Sequence, residues 1–451
     1  DLPPVDLPPV DLPPVDLPPG PRLGWLQAAR YVAAPHPMLR AAAARHGDVF
    51  TIRTARRCVM TGKPALVRQI FSAPVDQYAV NAEAGPRRVL GANGMAQLSG
   101  RALRRDRRLL LPNFQGAALT SLAGMMRDAA LEVAESWTPG QTVLMREAAL
   151  AIALDIILRT VFGADTPDQR ATFRAALRDF DHAFTRPGFL LLSALHVEQE
   201  WLPPFRRFAT ARGRLEALLR QAIARARLDG PARGDVLGRL VAARHEDGSA
   251  MSDAALVDNL ITTAIAGHET SVVSLCWALH WLHDTPDCLA RLLDELAPLG
   301  PDPDPLAVTS LPYLDAVVRE VLRLWPAVTD VNRVLAKPMQ LGGFEIPAGM
   351  TVAAAAAILH HDPELYPEPD RFRPERFLKN RFAPWEYIPF GGGERMCPGA
   401  QFSIFELKLL LGVLLARCRF TALAPGDPRP KRVGFLISPR AGVPLRYEGR
   451  R

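Results

Sequence analysis

The chain is short of most features that sort a sequence quickly. Its 451 residues include five cysteines (Cys58, Cys276, Cys288, Cys397, Cys418), with no CxxC pair and no regular spacing. That argues against a disulfide framework and a zinc site, and for a reducing compartment, expected to be the cytoplasm. No apolar run reaches transmembrane length and no signal-peptide pattern opens the sequence. Because the first residue is Asp1 rather than Met, that absence is stated of these residues alone. Gly/Ser linkers and charge runs are missing too. A typical domain size would suggest about three domains, yet without linkers one large domain is the better reading, with a core deep enough to enclose a bulky group.

What the chain does have begins with four copies of DLPP over residues 1–20. Prolines at that density favour extended polyproline II and add nothing to a packed core. A linker is preferred there over a docking segment or a cloning remnant. The net charge is +7, and five arginines fall between Arg101 and Arg108. No aromatic interleaving or binding motif accompanies them, so nucleic acid is not expected. A solvated helix face and a docking patch for an acidic protein remain.

Helical-period apolar patterns predict helices near 37–46, 64–72, 100–111, 117–137, 144–162, 206–227, 252–284, 286–297, 313–325 and 398–417. β-like runs lie at 48–60, 340–358 and 433–447. Segments 73–99 and 181–205 carry Gly and Pro with weak periodicity and read as loops, and 362–398 is irregular. The fold class is therefore mainly α with small peripheral β-sheets.

Residues 390–411, FGGGERMCPGAQFSIFELKLLL, carry the most information. Three glycines permit a tight turn just before a cysteine, and Pro398 suits the first turn of a helix. Cys397 thus sits at a helix start, where peptide dipoles lower a thiol pKa and turn amides can bond the sulfur. A glycine-rich phosphate loop is excluded because no GK[ST] follows. A buried structural cysteine is the other reading. In the 264–270 stretch, AIAGHET, Thr270 Oγ can bond the Ala266 carbonyl four residues back, and Gly267 loosens the ladder. Glu269 puts a carboxylate in an otherwise apolar helix, which is expensive without a purpose. Glu320 and Arg323 are i,i+3 neighbours that can pair, although such surface pairs are worth well under ~1 kcal/mol. The histidine pairs His280/His283 and His360/His361 have no third partner and read as structural.

The 390–399 segment fits F-x-x-G-x-R-x-C-x-G at Phe390, Gly393, Arg395, Cys397 and Gly399, and so resembles the haem-binding signature of the cytochrome P450 family. The resemblance runs from about residue 18 to the C-terminus. AGHET resembles the family's A-G-x-[DE]-T, and FRPERF supplies Arg376 as the third member of a Glu320–Arg323–Arg376 cluster with a structural role. The resemblance implies the family's triangular-prism fold as a single domain over 21–451. It implies haem b ligated by Cys397, with Arg395, Arg107, Arg333, Phe390, Gly391, Gly399, Ala266 and Gly267 against the cofactor. Thr270 and Glu269 would deliver protons for O–O cleavage, and His268 would pack the helix. One position departs: the family usually has Trp or His where Leu103 stands, so one propionate contact is expected to be missing or supplied by a neighbour such as Arg104.

The implied reaction inserts one atom of O2 into a hydrophobic small molecule: a fatty acid, terpenoid, steroid or macrolide-like compound. Substrate contacts are expected from 73–99, 181–205, Val328 to Val331 and Phe435–Leu436. NAD(P)H would act only indirectly, through a ferredoxin or flavodoxin with its reductase, docking near Arg104, Arg105 and Arg108. A monomer is expected. A peroxygenase would not need the Glu269–Thr270 pair, and a haem carrier would need neither that pair nor a basic docking face.

Overall fold

The 32-residue helix Asp253–Asp284 is the spine of the protein. At 1.5 Å per residue it spans roughly 48 Å, starting from Ser252, whose side chain accepts the Ala255 amide. Its apolar residues are not confined to one stripe, and it is buried on most sides, as such a helix must be. Helix Met145–Thr160 packs along one side and helix Ala400–Arg417 along another, and all three share the main hydrophobic core. The computed structural model describes residues 17–21, 24–53, 57–80, 84–194, 199–230, 235–424, 426, 430–433 and 436–451.

The sheets are small and lie to the side. Val49–Arg53 pairs antiparallel with Arg57–Thr61, which runs parallel to Thr351–Ala354, which pairs antiparallel with Val331–Val334. A three-stranded sheet orders Thr142–Leu144, Pro444–Arg450 and Cys418–Ala422, and the described residues form two further two-stranded ribbons. The last DLPP copy joins the first sheet: the Pro19 carbonyl accepts the Thr51 amide at 2.9 Å and the Pro18 carbonyl accepts the Thr51 hydroxyl at 2.8 Å. The first three copies lie within residues 1–16, outside the described residues.

Each of the helices expected from periodicity is present, the one expected over 117–137 as two pieces, Ala117–Thr120 and Ala123–Ala134. Both segments expected to be loops contain helices instead. Ala84–Leu90 is helical within 73–99, and Pro167–Thr185 and Pro187–Ala194 cover most of 181–194. Pro187 stands at the first helical position, where its fixed φ starts a helix rather than breaking one.

Candidate active site

The glycines before Cys397 are dictated by what surrounds them. Gly391 and Gly393 hold φ of 71° and 67°, in the left-handed region. A Cβ on Gly392 would lie 2.3 Å from the Phe71 ring, and one on Gly393 2.3 Å from the Phe71 carbonyl oxygen. Helix Pro64–Ser72 therefore presses directly on the turn. The Cys397 amide donates to the Phe390 carbonyl at 3.0 Å, which closes the loop, and Gly399 caps the helix that begins at Ala400.

Cys397 is solvent-accessible, yet enough protein surrounds the sulfur for desolvation to raise its thiol pKa above the ordinary range. The Gly399 amide and the Arg107 guanidinium pull the other way and are outweighed. This reverses the expectation of a lowered pKa: a helix start and one arginine do not offset the loss of water.

Three arginines meet beside this turn without carboxylates. Arg107 donates to the Met396 carbonyl at 2.5 Å, Arg395 to the Leu98 carbonyl, and Arg333 Nη1 to the Asn332 carbonyl at 2.9 Å. Arg333 Nη2 is buried with no partner. Burial, then the charge of Arg395, pushes the Arg333 guanidinium down to about 10. Arg395 is lowered by burial and then by Arg107. Among the described residues no ion pair relieves any of the three. Such a cluster favours an anion, and a rigid guanidinium fork suits a carboxylate. Arg104 does not substitute for the missing partner at Leu103, because Glu394 holds its guanidinium at 2.9 and 3.1 Å.

On the spine helix the Thr270 hydroxyl donates to the Ala266 carbonyl at 2.6 Å. Ala266 is exposed although its helix runs through the core, so this face borders open space. Gly267 has a packing role: a Cβ there would stand 2.7 Å from Ile157 Cδ1 on helix Met145–Thr160. The helix is continuous through this region. Glu269 does not lie free beside Thr270. Arg146 donates to it at 2.9 Å, in a pair less than one-third exposed. His268 is buried, with Nδ1 2.6 Å from the Ala264 carbonyl and Nε2 3.5 Å from Asp181. Ser271 donates to Glu406, a fully buried carboxyl on the Cys397-side helix, and so ties that helix to the spine.

Behind the turn, Arg323 forks onto Glu320 at 2.7 and 2.8 Å, and Arg376 reaches the same carboxylate at 2.9 Å. The pair that looks like a surface contact in sequence is fully buried. Arg323 also bonds the carbonyls of His360 and Pro369, which fixes the irregular 362–398 segment. His360 accepts the Ile388 amide at 2.9 Å.

Other expected positions fare less uniformly. Arg105 lies 3.5 Å from Asp247 and Arg108 is paired with Glu246, so two docking arginines, like Arg104, are already partnered. Val328 is exposed, Leu436 is buried in the main core, and Phe435 lies outside the described residues. Sequence reasoning missed Arg146 and Asp181, which reach the site from other helices, and Glu406 on the cysteine-side helix itself.

The sequence model of the family described as Cytochrome P450 matches residues 13–443. A Mycobacterium tuberculosis protein named "Putative cytochrome P450 135B1" is 33% identical over 439 residues, covering 96% of this chain and 91% of its own. Another from that organism, "Putative cytochrome P450 137", is 31% identical over 436 residues, covering 93% and 87%. Among solved structures, a retinoic-acid-bound cyanobacterial CYP120A1 superposes with TM-score 0.83 at 26% identity, covering 96% of this chain and 100% of that one. The cytochrome P450DA heme domain gives TM-score 0.84 at 25% identity, covering 96% and 98%.

The chain belongs to the cytochrome P450 family. It is a monooxygenase whose cofactor is haem b, with electrons supplied by a separate redox partner. The residues present fit that group: one thiol in a glycine turn, beside three arginines without carboxylate partners, one with a buried unsatisfied Nη2, which could take the porphyrin's carboxylate arms. Among the described residues no helix is long and apolar enough to cross a membrane.

Proposed function

We propose that Cys397 would hold the haem iron through its thiolate and that Arg107, Arg333 and Arg395 would bind the propionates. Haem b, when bound, supplies the reductive activation of O2 and the insertion of one oxygen atom into the substrate. The chain's own residues do the rest. Phe390, Gly391 and Gly399 shape the turn that presents the sulfur. Coordination to a cation removes the thiol proton that burial otherwise favours, and the Gly399 amide then bonds the thiolate. Ala266 keeps its face of the spine helix open, and Gly267 lets helix Met145–Thr160 pack close beside it. Thr270 holds a proton at Oγ1 beside that face, and Glu269 exchanges protons with water at the partly exposed Arg146 pair. Glu320, Arg323 and Arg376 keep the cysteine segment in place.

The observation that carries this reading is the cluster of three carboxylate-free arginines around an accessible cysteine. The substrate is a hydrophobic small molecule of the fatty acid, terpenoid, steroid or macrolide-like class, held by the apolar lining expected of such a site. A ferredoxin or flavodoxin docks on the cysteine side, where Met396 is exposed and helix Gly100–Leu110, which carries Arg104, Arg105 and Arg108, meets the cysteine turn through Arg104–Glu394 and Arg107–Met396. The protein acts as a cytoplasmic monomer, with the outer DLPP copies as a linker. Titrating the holoenzyme with one member of each substrate class, read as a low- to high-spin Soret shift, tests the substrate assignment. A shift with one class supports it, and shifts only with small polar compounds would overturn it.

A further inference from the structure

Residues 87–97 form a strap that crosses the spine helix, and one ion pair holds it. Asp258, on the spine, is buried and accepts three bonds: from Arg212 Nη2 at 2.9 Å, the Asn93 amide at 2.9 Å and Asn93 Nδ2 at 3.0 Å. Arg212 belongs to helix Pro203–Asp229. Its other nitrogen donates to the Arg88 and Val89 carbonyls at 2.6 and 2.8 Å. The next spine residue, Asn259, accepts the Met95 amide at 2.8 Å. Gly91, at φ 85°, passes so close that a Cβ there would lie 1.9 Å from Asp258 Oδ1. Helix Pro203–Asp229, the strap and the spine are thus joined at one guanidinium and one carboxylate.

The location gives the pair its meaning. Asp258, Thr262, Ala266 and Thr270 are spaced i, i+4, i+8, i+12, so each stands one turn on from the last and is its surface neighbour on the spine. The Thr262 hydroxyl bonds the Leu90 carbonyl at 3.5 Å, so the strap reaches to within one turn of exposed Ala266. We infer that the Arg212–Asp258 pair is the latch that holds residues 87–97 over the substrate cleft, and that its opening sets how fast ligands enter and leave. The inference rests on the reading of the Ala266–Thr270 face as that cleft. Arg212 and Asp258 are positioning residues: they touch the strap and not the reacting atoms. Arg212 is also paired with Glu216 at 2.7 Å, so it keeps a counter-charge when the latch is released.

The test uses the holoenzyme with 4-phenylimidazole as probe, its iron ligation followed by stopped-flow Soret absorbance, in Asp258→Asn and in the milder Asn93→Ala. Both variants should raise the association and dissociation rate constants, Asp258→Asn by about tenfold or more, with Kd changed less than about threefold. Hydrogen exchange at the Asn93 and Met95 amides should accelerate in Asp258→Asn. That readout does not pass through the iron, so it tests the latch even if the assignment of Cys397 fails. Unchanged exchange in Asp258→Asn would overturn the latch. Faster exchange with unchanged azole rate constants would overturn its control of entry.

Discussion

Arg146 Nη2 lies 2.9 Å from Glu269 Oε2, so the acid beside Thr270 is tethered to the neighbouring helix Met145–Thr160. The two residues are 123 apart in sequence, and AGHET on its own gives no sign of the tether. A pair this accessible contributes about 1 kcal/mol or less to stability. It matters through placement: the carboxylate is held at a site water can reach, one residue from the hydroxyl that bonds the exposed Ala266.

Arg146→Leu should therefore uncouple turnover without unfolding the protein. Product formed per NAD(P)H consumed is expected to fall about tenfold, while the denaturation midpoint moves little. Thr270→Ala should uncouple in the same way, and the double variant should be no worse than the poorer single one if both serve one proton route. Additive losses would show two independent roles. The measurement is NAD(P)H oxidation against product yield with a reconstituted redox partner.

Arg333 carries an uncompensated cost in the chain by itself, since its Nη2 is buried without a hydrogen-bond partner and its guanidinium is repelled by Arg395. Arg333→Leu should leave the haem-free protein as stable or more so, while haem transfer to apomyoglobin becomes about tenfold faster. Thermal melts of the haem-free protein and the haem-loss rate together decide it. Loss of stability in both forms would make Arg333 a structural residue.

Glu406 gives the fold a pH dependence. Burial raises its carboxyl to about 7 from an ordinary 4.5, against the Ser271 bond and the charge of His268. A raised carboxyl pKa means the folded state keeps a proton that the unfolded chain loses. Stability from this group is therefore present below about pH 4.5, declines as pH rises and is gone by about pH 7, a change of about 3 kcal/mol. Glu406→Gln removes that dependence, so the variant should gain on the wild type between pH 5 and 8 in chemical denaturation. Parallel curves would contradict the assignment.

What could be read from the sequence was local. The cysteine turn, the Thr270–Ala266 bond and the Glu320–Arg323 fork depend on residues within a few positions, and their spacing fixes their geometry. The helix Pro167–Thr185 was also within reach: Thr166 and Gln169 form a reciprocal capping box with Pro167 at the first turn. Beyond that cap the signal weakens, because the apolar periodicity is faint and Gly and Pro follow from residue 187. The pairs Arg146–Glu269, Ser271–Glu406 and Arg212–Asp258 were out of reach, since each joins two helices whose approach is set by tertiary packing. The same packing buries Glu320 and Arg323, and turns an ordinary i,i+3 pair into a deep anchor that cannot lose one partner cheaply. It also pairs Arg104, Arg105 and Arg108 with nearby carboxylates, which a count of arginines cannot foresee.

The reduced, CO-bound protein reports most directly on whether Cys397 supplies a thiolate to the haem iron. Freshly purified, folded protein should show a Soret band near about 450 nm, and Cys397→Ser should lose it while keeping the fold. A wild-type band near about 420 nm under those conditions would contradict thiolate ligation.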